Sequence, residues 1–265
     1  VSVESSKSFF ELIWNERIQQ EKLEEYEKLK EADKMKTEFI NVAAHELRTP
    51  IQPIIGLGEA LRSKDKLNVE EYEEYLDVII RNARRLQQLA DDILDVTKIE
   101  SKSLKLKKER FDLQELITVS VNEYNEIIKK SKRGVKLEYR PKQEQNNNPL
   151  FIHADGGRIS QVISNLLSNA IKFTEEQGSI LISTERKKED GRYVVVVSIK
   201  DTGAGVDPVI LPRLFTKFAS KSERGGTGLG LYISKSIIDA HKGEIWSKNN
   251  AKGEGATFSF SLPLT

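Results

Sequence analysis

The chain has 265 residues, with 42 Lys and Arg against 41 Asp and Glu for a formal net charge of +1, and it has no Cys. That balance supplies no global field for nucleic acid or an anionic membrane. The missing Cys removes disulfide frameworks, thiolate metal sites and cysteine nucleophiles, and it suits a reducing, cytoplasmic compartment.

No apolar run approaches the roughly 20 residues that span a bilayer. The first residue is Val1 and the single Met is Met35. This predicts an excised piece of a longer protein whose missing, N-terminal part would carry any membrane anchor.

From Val1 to Thr49 there is neither Gly nor Pro, and Glu24/Lys28 and Glu27/Lys30 are spaced for intrahelical pairing, which predicts one long helix. Phe9, Leu12, Ile13, Leu23, Tyr26, Leu29, Met35, Phe39 and Val42 form a loose three-four stripe, so residues 1–35 read as an imperfect coiled coil. The apolar pattern continues through Ile40, Ala43, Ala44, Leu47, Ile51, Ile54 and Leu61, then breaks at Ser63 to Asn68.

A second helix follows, with Tyr72, Leu76, Ile79, Ala83, Leu86, Ala90, Ile93 and Thr97 in alternating steps of four and three. Such a seam predicts an antiparallel hairpin over residues 36–100. One hairpin can hardly bury both stripes, so a second copy completing a four-helix bundle, a homodimer, is expected.

Within the first helix, His45 is turned roughly 100 to 160° from Ile40, Ala44, Leu47 and Ile51 and should face solvent. Pro50 removes the N–H that would bond the carbonyl of Glu46, which predicts a bend just after the His45-Glu46 pair. A neutral imidazole is a competent nucleophile near pH 7. The adjacent Glu46 carboxylate is placed to take the proton from its far nitrogen as general base.

After Ile99 the period changes. Ser103 to Lys107 alternates as a strand, Asp112 is set to cap a helix reaching about Lys130, and strands are predicted at Val135 to Tyr139 and Phe151-Ile152. A helix over Gly157 to Thr174, strands at Ser179 to Arg186 and Tyr193 to Asp201, a helix over Gly228 to His241, and strands at Gly243 to Ser247 and Ala256 to Leu262 complete the pattern. Residues 101–265 therefore read as an α+β sandwich, a mixed sheet under helices.

The helix from Gly157 carries Arg158, Gln161, Asn165, Asn169 and Lys172 on one flank. Asn is a poor helix former, but its amide oxygen suits Mg²⁺, and a lysine one turn later can neutralise phosphate. Asp201 ends an apolar strand, where a carboxylate can accept from an exocyclic amine, and Gly203 and Gly205 let backbone approach a flat base. Gly226, Gly228 and Gly230 open a helix whose free N–H groups can hold phosphate. His153 and His241 read as structural, the latter at a helix C-terminus where a cation is favoured. Trp14 and Trp246 read as packing residues.

The run Phe39-Ile40-Asn41-Val42-Ala43-Ala44-His45-Glu46-Leu47-Arg48-Thr49-Pro50-Ile51 resembles the dimerisation and phosphotransfer helix of the sensor histidine kinases of two-component signalling. Asn165-Leu166-Leu167-Ser168-Asn169-Ala170-Ile171-Lys172-Phe173 resembles the N box of the GHKL ATP-binding fold. Asp201-Thr202-Gly203-Ala204-Gly205 and Gly226-Thr227-Gly228-Leu229-Gly230 resemble its two glycine boxes, and Gly253-Glu254-Gly255-Ala256-Thr257 its last glycine-rich turn. Leu214-Phe215-Thr216-Lys217-Phe218 is similar to the F box, but Ser220 stands where members often carry Arg, which leaves Lys217, Lys221 or Arg224 to supply the charge.

The resemblance, covering about residues 36 to 265, implies an ATP-dependent kinase that phosphorylates its own His45 and passes the group to an aspartate of a response regulator. It assigns Asp201 to adenine, Asn169 to Mg²⁺, Asn165 and Lys172 to the phosphates, Thr257 to the neighbourhood of the base, and Thr49 to water positioning in dephosphorylation. A conformational ATPase of the same fold and a catalytically silent scaffold are the rival readings.

Overall fold

The computed structural model describes residues 3–63, 68–131, 133–141, 149–189, 191–219, 227–251 and 254–264. It divides into two compact units, residues 1–87 and 88–265. Among the described residues no helix is long and apolar enough to cross a membrane.

The first unit is built on α1 (Val3–Ser63) and the N-terminal part of α2 (Val69–Glu100). The expected bend does not interrupt α1, which carries both Pro50 and Pro53 inside it. Each proline forfeits a backbone hydrogen bond, and burial of the Pro50 ring offsets part of that cost. At the start of α2, Asn68 Oδ1 accepts from the Glu71 N–H at 2.8 Å while Glu71 Oε2 accepts from the Asn68 N–H at 3.3 Å. This reciprocal cap satisfies two donors at the helix start. Ile40 and Ile55 on α1 and Ile80 on α2 remain about half exposed.

The second unit opens on the rest of α2, where the buried residues are Leu89, Asp92, Asp95 and Val96. Of the expected seam, Leu76, Ile79, Leu86 and Ile93 are half-buried, while Ala90 and Thr97 are exposed. The segment predicted as a strand at Ser103 to Lys107 is irregular: Leu104 and Leu106 are half-buried, but no described strand pairs with them. Alternation without a partner ladder does not make a strand.

Pairing begins instead at β1 (Glu109–Asp112), antiparallel to β3 (Phe151–Ala154). Asp112 caps α3 (Leu113–Ser131) by accepting from the Gln114 N–H at 3.0 Å, and it also accepts from the Leu150 N–H at 3.1 Å. Asp155 caps α4 (Gly156–Phe173) through the Arg158 N–H.

The main sheet has five strands in the order β2 (Lys136–Tyr139), β4 (Ser179–Glu189), β5 (Arg192–Asp201), β7 (Ala256–Pro263) and β6 (Ile245–Asn249). Among the described strands of this sheet only β2 and β4 pair in parallel. The register aligns Leu137, Ile180 and Asp201 on one face, with Ile182, Ile199 and Phe258 beside them. Ile159, Ile163, Leu166 and Leu167 of α4 and Ile233, Ile237 and Ile238 of α5 (Gly230–Ala240) complete the core. Burying this many branched side chains at about 2 kcal/mol each is the main force holding sheet and helices together. Asp201 is consequently a carboxylate at the edge of an apolar core.

Candidate functional site

Two sets of predicted residues fall in the two units. In the first, the His45 side chain is 75% exposed, and its Nδ1 lies 3.9 Å from Glu46 Oε1. The Glu46 carboxylate is mostly shielded, and its other oxygen is held 3.3 Å from the Arg85 guanidinium of α2. Arg85 therefore restrains Glu46 beside an imidazole that remains open to solvent. Thr49 is exposed and donates its hydroxyl to the His45 carbonyl at 3.1 Å. That bond leaves the lone pairs of its oxygen available to water.

In the second unit, Asp201 is only 3% exposed. Its Oδ1 accepts from the N–H groups of Gly203 (2.9 Å) and Ala256 (3.2 Å), and its Oδ2 takes no bond from another described residue. Burial pushes its carboxyl up, against the pull of those two donors. Two glycines make the geometry possible. A Cβ at Gly203 would collide with the carbonyl of Phe173, and one at Gly255, whose φ is +84°, would collide with the carbonyl of Asp201. The first contact joins the end of α4 to the Asp201 loop, which continues through Gly205.

On α4, Asn169 is half-buried and makes no side-chain hydrogen bond to a described residue, whereas Lys172 lies 4.8 Å over the Phe173 ring. Asn165 is tied to the start of α5, donating to the Gly230 carbonyl (3.2 Å) and the Ser234 hydroxyl (3.4 Å). Gly228 meets Phe218, whose N–H donates to the Gly228 carbonyl at 3.1 Å. Gly226, Lys221 and Arg224 lie outside the described residues. Lys217 pairs with Glu100 and sits 5.3 Å over the Tyr232 ring, and burial lowers its ammonium below the usual range.

Thr257 departs from expectation. Successive strand residues point to opposite faces, and the register pairs Thr257 with Lys200, one position out of phase with Asp201. Thr257 is therefore on the face opposite Asp201, with its hydroxyl donated to Asn250 at 2.6 Å. The position in phase with Asp201 is Ala256.

Sequence reasoning also missed the polar contacts of α2. Asp92, 4% exposed, accepts from Gln88 (2.9 Å) and from the Thr227 hydroxyl (3.0 Å). Burial raises its carboxyl above the ordinary range. Burial works the same way on Asp95, but the hydrogen bonds from Arg158 (2.6 Å) and Gln161 (2.8 Å) outweigh it and hold this carboxyl low. The polar flank of α4 is thus divided, with Arg158 and Gln161 gripping α2 and Asn169 and Lys172 left beyond them. The one available signal was two acids three apart in line with Leu89 and Val96, acidic members of an otherwise apolar stripe.

His241 is 4% exposed, and its Nε2 accepts from the Asp155 N–H at 3.0 Å while Nδ1 lies 2.8 Å from the Ile237 carbonyl. An acceptor role at Nε2 requires the neutral ring with its proton on Nδ1, so the cation expected at this helix end is absent. Burial lowers its pKa, with Lys108 adding to the effect and the Ile237 bond and Asp155 opposing it. The unfolded chain then binds more protons than the folded one below about pH 6.5. The stability contributed by neutral His241 is full above that pH and is lost as pH falls towards the depressed folded value. Urea unfolding at pH 7.5 and 5.5 should show a drop that shrinks in His241→Gln; an equal drop in both proteins would remove His241 from the account.

Residues 35–102 match the His Kinase A (phospho-acceptor) domain, and residues 154–265 match the histidine kinase-, DNA gyrase B-, and HSP90-like ATPase family. The chain is 35% identical to the non-motile and phage-resistance protein of Caulobacter vibrioides over 89% of its own length and 28% of the relative's. It is 33% identical to the autoinducer 2 sensor kinase/phosphatase LuxQ of Vibrio harveyi over 86% and 26%. It spans little more than a quarter of either protein.

Histidine kinase ThkA, solved in complex with response regulator protein TrrA, is 30% identical with a TM-score of 0.65, covering 92% of this chain and 66% of that one. The ThkA catalytic domain alone is 31% identical with a TM-score of 0.51, over 59% of this chain and 95% of the domain. With a phosphoacceptor-type helix ahead of an ATPase-type sandwich, and relatives of this kind along both, the chain belongs to the histidine kinases.

Proposed function

We propose that this chain is an ATP-dependent protein-histidine kinase that phosphorylates His45 and passes the phosphoryl group to an aspartate of a response regulator. The observation that carries the reading is the solvent-open His45 imidazole beside a carboxylate that Arg85 restrains. In this reading residues 1–35 are a signalling helix, 36–100 the dimerisation and phosphotransfer domain and 101–265 the catalytic domain. The half-exposed Ile40, Ile55 and Ile80 favour a homodimer through the hairpin. ATP as donor puts the chain in the cytoplasm, or on the cytoplasmic side of a membrane.

Asp201 Oδ2 accepts the exocyclic amine of adenine, and Gly203 and Gly205 leave room for the ring. Gly226, Gly228 and Gly230, with Asn165 and Lys172, serve the phosphates. The donor set suits Mg²⁺: Asn169 offers a hard amide oxygen with no described partner. Among the described residues no cluster of three His, Asp or Glu forms an all-protein cage, so phosphate oxygens and water would complete the shell. Bound there, the ion neutralises charge that gathers on the phosphate oxygens.

In the transfer, the Nε2 lone pair of His45 forms a bond to the γ-phosphorus as the bond to the bridging oxygen breaks. ADP leaves with that electron pair, and the Nδ1 proton moves towards Glu46. The 3.9 Å gap between Nδ1 and Glu46 must tighten for this step. Thr49, one turn further on, is placed to hold a water when the phosphoryl group is removed from a partner. The relative LuxQ is named as a kinase/phosphatase and ThkA was solved with a response regulator, which supports both the partner class and the reverse activity.

Incubation with ATP labelled at the γ-phosphate should give acid-labile, alkali-stable label on the protein. Steady phosphate release with no protein label would favour the conformational ATPase. Absence of ATP binding would favour the scaffold.

A further inference from the structure

At the end of β6 and just past it stand two adjacent asparagines, each with a side-chain bond to the distant loop that follows β5. Asn249 Oδ1 accepts from the Val206 N–H at 2.8 Å, and its Nδ2 donates to the Val206 carbonyl at 2.7 Å. The amide thus pairs with one backbone unit as a neighbouring strand would. Asn250 Nδ2 donates to the carbonyls of Asp201 (2.9 Å) and Glu254 (2.8 Å), and its Oδ1 accepts from the Thr257 hydroxyl.

These orientations are forced. Carbonyls only accept, so Nδ2 must face them, which leaves Oδ1 of Asn250 to take the Thr257 hydroxyl proton. Each amide is thereby fixed in one orientation, with Oδ1 on the donor and Nδ2 on the carbonyls.

The two clamps hold the two ends of one loop. Asn250 grips the carbonyl of Asp201, where the loop leaves β5, and Asn249 grips Val206, immediately after Gly205. Between them lies the Gly203 N–H, which with that of Ala256 on β7 occupies Oδ1 of the Asp201 carboxylate. The one open acceptor, Oδ2, can be placed only as well as the backbone at 201 and the turn at 203–206 are placed. A hydrogen bond to a base loses its selectivity when the acceptor drifts by a fraction of an ångström.

We infer that Asn249 and Asn250 are positioning residues for base recognition, setting the preference for adenine over guanine by fixing Asp201 from both ends of its loop. The inference rests on the nucleotide reading above. Adenine offers an amine at position 6 where guanine offers an oxygen, so a rigid carboxylate acceptor rejects guanine and a loosened one discriminates less.

The test is the ratio of dissociation constants for ATP and GTP, each with Mg²⁺, measured by calorimetry on the 265-residue chain. The wild type should prefer ATP, and Asn249→Ala and Asn250→Ala should each reduce that preference roughly tenfold or more. A loss of folded protein would weaken both nucleotides equally and leave the ratio unchanged, so an unchanged ratio in the folded variants overturns the inference. Should the variants not fold, hydrogen exchange of the Val206 amide in the wild type decides: protection is expected, and exchange at the unprotected rate overturns it. A wild-type chain that binds neither nucleotide overturns the nucleotide reading itself.

Discussion

His45→Gln should abolish acid-labile labelling from ATP while leaving nucleotide affinity within about twofold of wild type. The imidazole supplies the attacking lone pair, and the amide of Gln, whose nitrogen is not nucleophilic, cannot replace it. Folding should survive, because the His45 side chain is 75% exposed and packs against little. Surface substitutions of this kind usually change stability by less than about 0.5 kcal/mol. Glu46→Gln should behave differently, retaining label that forms more slowly by about 10² to 10⁴, the range for loss of a general base. Label intensity against time on a denaturing gel distinguishes the two, and full-rate labelling of Glu46→Gln would remove the base assignment.

Asp201→Asn should lower ATP affinity at least about a hundredfold, equivalent to about 3 kcal/mol, with the fold retained. The substitution is isosteric. An amide oxygen can still accept from the N–H groups of Gly203 and Ala256, which leaves its NH₂ where Oδ2 stood. A donor would then face the amine of adenine, so the loss exceeds that of a missing hydrogen bond. Because burial raises the Asp201 carboxyl, protonation produces a similar donor, and ATP binding should weaken as pH falls through the raised value. Calorimetry at several pH values checks this; affinity independent of both pH and the substitution would show that the carboxylate does not read the base.

Local pattern was enough for much of the architecture, because it is written in properties that neighbouring residues share. The step of four and three in α2 and the apolar run of β5 each follow from period alone. Asp112 capping α3 and the exposure of His45 followed from local chemistry in the same way.

What was not legible depends on partners distant in sequence. Ser103 to Lys107 alternates, yet a strand needs a ladder, and pattern cannot say that none is present among the described residues. The family resemblance put Thr257 near the base, but its face is decided by the parity of the β5 and β7 register. Asp92 and Asp95 are buried acids of α2. Their burial depends on Thr227 and Arg158, some 135 and 63 residues away. Asn249 and Asn250 carried no signal beyond an ordinary turn composition, since Val206 and Asp201, which they clamp, are 43 and 49 positions distant.

The account depends on one solvent-facing imidazole receiving the terminal phosphoryl group of ATP. Mass spectrometry of the chain after incubation with ATP and Mg²⁺, under alkaline conditions that preserve phosphoramidates, tests it most directly. The account predicts an added phosphoryl group confined to the peptide containing His45 and absent from the His45→Gln variant. A phosphoryl group mapped to any other residue, or to none while ATP is bound and hydrolysed, would contradict it.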